Sequence, residues 1–283
     1  MPDAVKRTHS YHAEAEVLKG NLRLPLVQEI KSQSNAKLAE AGGYLAQHET
    51  DYRLESVMSF SAAHTHVAGN PGLKPGHGWT TLASSAVEGL NVLNVVTADR
   101  VVGQVSLDYP AEGYVPAITF LGTQFVNLRI AGHPVKVEID LDLFGSRPDE
   151  DGPYTKTPGL LAKVAGQHAK VREHPNLLQD LLKRYTGVST EATEQQAIEC
   201  SIVKKLDCGD GGAFPGTCHG HVIYVPGFGT IILGAVRLEH SKFEDGVFKK
   251  TLVQLTMIEL KMGCIAEGET RVSSLVTNGM TKP

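Results

Sequence analysis

Residues 126–143 read Val126-Asn-Leu-Arg-Ile130, then Ala131-Gly-His-Pro134, then Val135-Lys-Val-Glu-Ile-Asp-Leu-Asp-Leu143, and their reading decides the fold class. Val126, Leu128 and Ile130 fall on one parity. Val135, Val137, Ile139, Leu141 and Leu143 do the same after the Ala-Gly-His-Pro turn, with Asn, Arg, Lys, Glu and Asp between them. Side chains on a strand alternate between faces, so this pattern predicts a β-hairpin with one apolar and one hydrated side.

Working outward, the same signature recurs. Residues 54–68, 79–88, 92–107 and 118–125 read as strands leading into the hairpin, so the region from about 54 to 144 is expected to be an antiparallel run. Upstream, Ala13, Ala15 and Val17 oppose Glu14 and Glu16. Leu22, Leu24 and Leu26 follow, and Pro25 assigns that piece to a sheet edge, because proline cannot donate to a ladder. Residues 31–52 lack a period of two and read as a long connection or a short helix.

Beyond Phe144 the breaker-rich stretch 145–154 changes the periodicity. Leu160, Leu161, Val164, His168 and Val171 form one helical stripe ending before Pro175. Leu177, Leu178, Leu181, Leu182 and Tyr185 form a second, with Gly187 placed as its C-cap. Strands resume at 197–206, 221–225, 230–240 and 251–262. In the last, Val253, Leu255 and Met257 share one parity while Ile258, Leu260 and Met262 share the other, which calls for a β-bulge near 257–258 or burial on both faces. The tail 272–283, containing Asn278-Gly279, is expected to fray. The sequence thus predicts a mainly β protein, an antiparallel β-sandwich or irregular β-barrel, as one domain over 1–283 with a two-helix insertion at 145–196.

The chain has 283 residues and 41% hydrophobic content, enough for a sizeable core. Lys plus Arg is 27 against 31 Asp plus Glu, a formal charge of -4, and no basic tract is present to hold phosphate backbones, so nucleic acid is not an expected partner. No run of about 18 apolar residues predicts a transmembrane segment, and no signal-peptide core is visible, which makes the cytoplasm the expected compartment. The four cysteines are Cys200, Cys208, Cys218 and Cys264. The compartment favours reduced thiols, while the spacing of Cys208 and Cys218 around a Gly-rich loop favours a disulfide; both readings stand.

Familiar catalytic signatures, Gly-x-Ser-x-Gly, His-Glu-x-x-His and the phosphate-binding Gly-rich loop, are absent. Gly227-Phe-Gly229 precedes a strand and reads as a turn. Asp140 and Asp142 continue a hydrated strand face, and Asp149-Glu150-Asp151 reads as an exposed acidic loop. The histidines carry more. His64-Thr65-His66 and His219-Gly220-His221 are both His-x-His, which on an extended strand puts two imidazoles on one face, as zinc sites in β-barrels require. Cys218 adjoins the second pair, and if a metal binds there, a carboxylate such as Glu239 is an example of a base, with none singled out by the sequence. The lone Trp79, with His77 beside it, is a candidate stacking platform for a carbohydrate or other ring.

Residues 84–102, the Thr123-Gln-Phe-Val-Asn-Leu-Arg-Ile-Ala-Gly-His-Pro-Val135 stretch, Val225-Pro-Gly-Phe-Gly-Thr-Ile-Ile-Leu233 and the 251–258 strand together resemble bacterial surface proteins of the choice-of-anchor P type. The resemblance covers roughly residues 84–143 and 222–275. It implies a cell-surface or secreted location and a binding or structural role, with no catalytic residue to carry over.

Three expectations follow. The first is a non-enzymatic β-rich structural or binding module that needs no cofactor, forms a homo-oligomer through strand edges, or takes a protein or carbohydrate ligand. The second is a metal-binding barrel or metal-dependent enzyme that uses His64, His66, His219, His221 and Cys218 around a transition metal such as zinc. The third is a ligand-binding domain centred on Trp79 and His77.

Overall fold

The computed structural model describes residues 7–24, 27–72, 77–148, 152–175, 177–186, 197–209, 214–242, 248–263 and 266–282. Its first half contains β1 (Thr8–Leu24), β2 (Gln28–Gln33), β3 (Ala36–Lys37), β4 (Gly43–Leu54), β5 (Met58–Pro71), β6 (His77–Val92) and β7 (Val96–Pro110). Short strands follow: β8 (Ala117–Thr119), β9 (Gln124–Val126), β10 (Arg129–Ile130), β11 (His133–Pro134) and β12 (Lys136–Ile139). Helices α1 (Pro158–Arg172) and α2 (Gln179–Arg184) come next. The chain then returns as β13 (Ala197–Ser201), β14 (Val203–Asp207), β15 (Thr217–His219), β16 (Val222–Val225), β17 (Gly229–Lys242), β18 (Phe248–Gly263) and β19 (Glu267–Lys282).

These strands build two large antiparallel sheets. One runs β15-β16-β17-β18-β19-β1-β2, with β13 also on β17 and β3 also on β1. The other runs β11-β10-β7-β6-β5-β4, with β8 and β9 also on β7. Neither closes on itself, so the architecture is the sandwich of the two expected forms and not the barrel. The sheets pack face to face through β1, β18 and β19 against β5, β6 and β7. Small inward residues let them approach: Ala13, Ala15, Ala63 and Ala83 are fully buried. A Cβ on Gly103 would lie 2.8 Å from Ser273 Oγ and 3.0 Å from Met257 Cγ across the interface. Two hydrogen bonds stitch the faces, Ser85 Oγ donating to Glu16 O and Ser273 Oγ to Ser85 O, both 3.1 Å.

Each large sheet carries a transverse row at which inward parity inverts. In β18, Val253, Leu255 and Met257 face the core, then Ile258, Leu260 and Met262 do. In β17 the switch runs from Ile231 and Leu233 to Val236 and Leu238. In β19 it runs from Val272 to Leu275, and in β1 from Ala15 and Val17 to Leu18 and Leu22. The ladders keep a constant register across this row, so the bulge expected at 257–258 is absent. Gly234 (φ +59°) and Ser273 (φ +52°) sit in the row with left-handed backbone, which turns the next side chain to the same face without adding a residue. The second sheet repeats the device: Asp51 (φ +55°), Ser61, Gly89 (φ +62°) and Asp99 are register partners, and the inward set changes from Met58 and Phe60 to Ala63, Thr65 and Val67.

The stretch that decided the fold class holds its turn and loses its second arm. Arg129 pairs with Pro134 and Ile130 with His133 around Ala131 (φ +50°) and Gly132 (φ +81°), the signature of a type I′ turn. The following strand then leaves this sheet, and β12 pairs with β14 in a small separate ladder. Leu128, Ile130, Val135 and Leu143 are buried as the alternation requires, while Leu141 is 39% exposed.

Four further expectations are corrected. Residues 31–52 form neither connection nor helix, because β4 occupies 43–54 as the sheet edge, and its exposure on both faces erases the alternation. Leu22 is 3% exposed on a strand flanked by β19 and β2, so the piece read as a sheet edge is interior, and Pro25 itself lies outside the described residues. Residues 197–206 split at Ile202 into β13 and β14. Finally, 267–282 is an interior strand between β18 and β1, and Asn278-Gly279 pairs in the ladder. The α1 stripe is buried at all five expected positions, whereas α2 buries Leu181, with Tyr185 just beyond it, and leaves Leu178 44% exposed. Gly187 and the 149–151 loop lie outside the described residues.

Candidate functional site

The two His-x-His pairs lie on different sheets. His64 and His66 share the outer face of β5, with the buried Ala63, Thr65 and Val67 on the other side, as strand geometry requires. Gly220 in the second pair has φ +61°, so His219 and His221 do not share a face. His219 packs against His174, ring centroids 4.9 Å apart, while His221 is 1% exposed beneath the helices. Among the described residues no group of three or more His, Cys, Asp or Glu side chains converges on a metal position.

The structure supplies His64 with a partner that sequence reading missed. His48 on β4 is its cross-strand neighbour, with Nδ1 atoms 3.0 Å apart and ring centroids at 4.3 Å. His48 Nδ1 also lies 3.1 Å from Ala63 O. His66 is held below its ordinary value by burial and packs beside Tyr44, which is 69% exposed. His48 escaped notice because 31–52 showed no strand pattern to place it opposite His64.

These histidines stand at the open margin of the sheet. Among the described residues no strand pairs with the outer side of β4, twelve residues long, and nine of its twelve residues are exposed. Where the parity row meets this margin, a groove of about 600 Å³ opens among Asp51, Tyr52, Arg53, Ser61, Gly89 and Asn91. Tyr52 stacks on Phe60 at its wall, 5.0 Å between centroids.

A second polar cluster lies where the helices cover the other sheet. Tyr185 sits edge-on between His168 and His221, at 5.3 and 5.2 Å, and its hydroxyl is 2.9 Å from His221 Nε2. Burial, and the Arg184 charge beside it, push His221 down to about 3, and burial raises Tyr185 and the Cys200 thiol. Arg184 bonds Glu259 at 2.7 Å and Glu199 at 3.2 Å, and Arg237 ties Glu199 at 2.9 Å to Glu239 at 3.1 Å. Glu239 is therefore engaged by an arginine. His168 and Tyr185 belonged to helical stripes read as core, and a histidine in such a stripe was the available signal.

The remaining candidates find ordinary surroundings. Trp79 is half-buried with one ring face stacked on His9 at 5.1 Å, inside a group with Tyr11 and Tyr109. His77 pairs through its backbone with Pro110. Asp140 is bonded to Lys163 at 3.0 Å, and Gly227-Phe-Gly229 is the β16–β17 turn. Cys208 and Cys218 are joined in a disulfide, Cys200 is a buried free thiol and Cys264 lies outside the described residues.

Residues 9–239 match a family described as a domain of unknown function, DUF8256. The chain belongs to that family. No curated protein and no solved structure matches it. The DUF8256 match stops within β17, yet β18 and β19 fill the sheet between β17 and β1, so the folded unit is larger than the matched segment. No described helix is long and apolar enough to cross a membrane.

Proposed function

We propose that this protein is a non-enzymatic β-sandwich assembly module that joins a second copy of itself by strand addition along β4. The carrying observation is the edge of β4, unpaired among the described residues, exposed on both faces and free of the proline or lysine that ordinarily blunts an edge. The strand is self-complementary when two copies run antiparallel: one register sets His48 opposite Glu49, Tyr44 opposite Arg53 and Leu45 opposite Tyr52. Backbone hydrogen bonds supply affinity and the groove at Asp51 and Ser61 supplies side-chain specificity. The Cys208–Cys218 disulfide favours an oxidising compartment, in keeping with the resemblance to bacterial surface proteins.

Light scattering on the full chain tests this. A dimer is expected for the natural protein, and Tyr44→Lys with Leu45→Lys is expected to return a folded monomer, since both side chains are exposed. A monomer for the natural protein at high concentration rules the reading out.

The His48–His64 contact favours a second reading, a transition-metal site on this edge. Two imidazole nitrogens 3.0 Å apart suit adjacent corners of a tetragonal Cu(II) or Ni(II) site, whose separation is about 2.9 Å, better than the roughly 3.4 Å of tetrahedral zinc. Elemental analysis of untagged protein purified without chelator, beside His48→Ala, decides it: near-stoichiometric metal lost in the variant supports the site, and metal that washes out of both removes it.

A further inference from the structure

A cavity of about 160 Å³ lies between α1, β14 and the β15–β16 turn, away from the β4 edge, and its charged lining is all of one sign. Lys170, Lys204 and Lys205 border it together with Cys218, Gly220 and His221, and no carboxylate does. Lys204 is engaged by Glu138 at 2.6 Å. Lys170 and Lys205 make no ion pair among the described residues.

His221 is the independent observation. It is 1% exposed, and its Nδ1 has no hydrogen-bond partner among the described residues. Its Nε2 lies 2.9 Å from Tyr185 Oη, and Tyr185, raised by burial, keeps its phenolic proton. With the phenol donating to Nε2, the neutral imidazole carries its hydrogen on Nδ1, so the unmet atom is a donor. Leaving a buried donor unmade costs about 1–3 kcal/mol, and an acceptor in the cavity removes that cost. Gln167, an uncharged polar side chain of the lining, is already used at both ends by Ser201: its Nε2 donates to the carbonyl at 2.7 Å and its Oε1 accepts from the amide at 2.9 Å.

We propose that this cavity binds a small tetrahedral oxyanion of the phosphate class, held by His221 Nδ1–H and by the ammonium groups of Lys170 and Lys205. The volume is that of about five waters at ~30 Å³ each, room for phosphate or sulfate and too little for a nucleotide. Charge-assisted donors of this kind are stronger than neutral ones and select for anions. The β15–β16 turn and α1 are thereby bridged by the ligand at the point where the Cys208–Cys218 disulfide anchors β15.

The test is calorimetric titration of the full chain with inorganic phosphate and, separately, with glycerol phosphate, alongside nitrogen-15 spectra of the histidine rings. Saturable binding of inorganic phosphate at about 1 mM or tighter, weakened at least roughly tenfold by Lys170→Ala with Lys205→Ala, is expected. The His221 ring signals should move on titration. Glycerol phosphate binding as well would mark the anion as the end of an ester, and its failure would mark it as free phosphate. Arg271→Ala, outside the cavity lining, serves as the charge control. Absence of heat and of any His221 shift at about 10 mM phosphate, or binding indifferent to the lysine pair, overturns the proposal.

Discussion

The histidines carry the sharpest residue-scale consequence. Burial lowers His221 to about 3, His9 to about 4 and His240 to about 4 from an ordinary 6.5, with Arg184 adding to the first and Arg7 to the second. Between pH 6.5 and those values the unfolded chain binds protons that the folded chain refuses. The stability these groups leave intact above pH 6.5 is therefore lost as pH falls, by up to about 1.4 kcal/mol per pH unit for a fully buried imidazole. Thermal melts from pH 7 to pH 4 should show a falling Tm that His221→Gln makes shallower. A flat profile over that range would contradict the burial of these rings. The sequence displayed His221 as half of a metal-binding doublet, because spacing alone assumed an extended chain. Left-handed Gly220 breaks that assumption, and no periodicity argument sees a single φ.

At the scale of elements, the parity rows explain both what the sequence revealed and what it hid. Alternation was legible wherever a strand buries one face, as in residues 13–17 and 126–130, and became ambiguous in β18, where the inward set switches at Met257. Edge strand β4 was illegible for the opposite reason: neither face is buried, so no hydrophobic pattern was selected. The rows depend on residues that tolerate positive φ. Gly89→Ala and Gly234→Ala each add left-handed strain of about 1–2 kcal/mol. In each case the new Cβ also meets a neighbour at 2.6 Å, Ser61 Oγ in one and Ile202 Cγ1 in the other. Both variants should melt several degrees lower. The converse holds at the hairpin that decided the fold class. Ala131 spends φ +50° in a type I′ turn, so Ala131→Gly should raise stability by about 1 kcal/mol, and an unchanged or lower denaturant midpoint would count against that turn.

For the whole molecule, the topology ties the ends of the chain together. Thr8 pairs with Lys282, and the first strand is sandwiched between the last one and β2. That closure was invisible in the sequence, where 272–283 read as a fraying tail, because strand order is set by long-range pairing and not by local pattern. It separates the folding unit from the family match, which ends at residue 239. A chain cut after Glu239 loses β18 and β19, leaves β1 and β17 without the neighbours between them, and uncovers the inner faces of β6 and β7 that pack on β18 and β19. Val253, Leu255, Ile258, Leu260, Val272 and Leu275, all fully buried, leave with the cut, and with them goes burial of about 1.5–3 kcal/mol per side chain. That loss is of the same order as the 5–15 kcal/mol by which a domain is ordinarily stable. The 1–239 fragment is therefore expected to be unfolded or aggregated, with no cooperative melt. Adding residues 240–283 as a separate chain should restore the melt by supplying β18 and β19 in trans. A cooperative transition in the fragment alone would mean that the sandwich stands without its two central strands, and the pairing of β1 with β19 would then be peripheral to the fold.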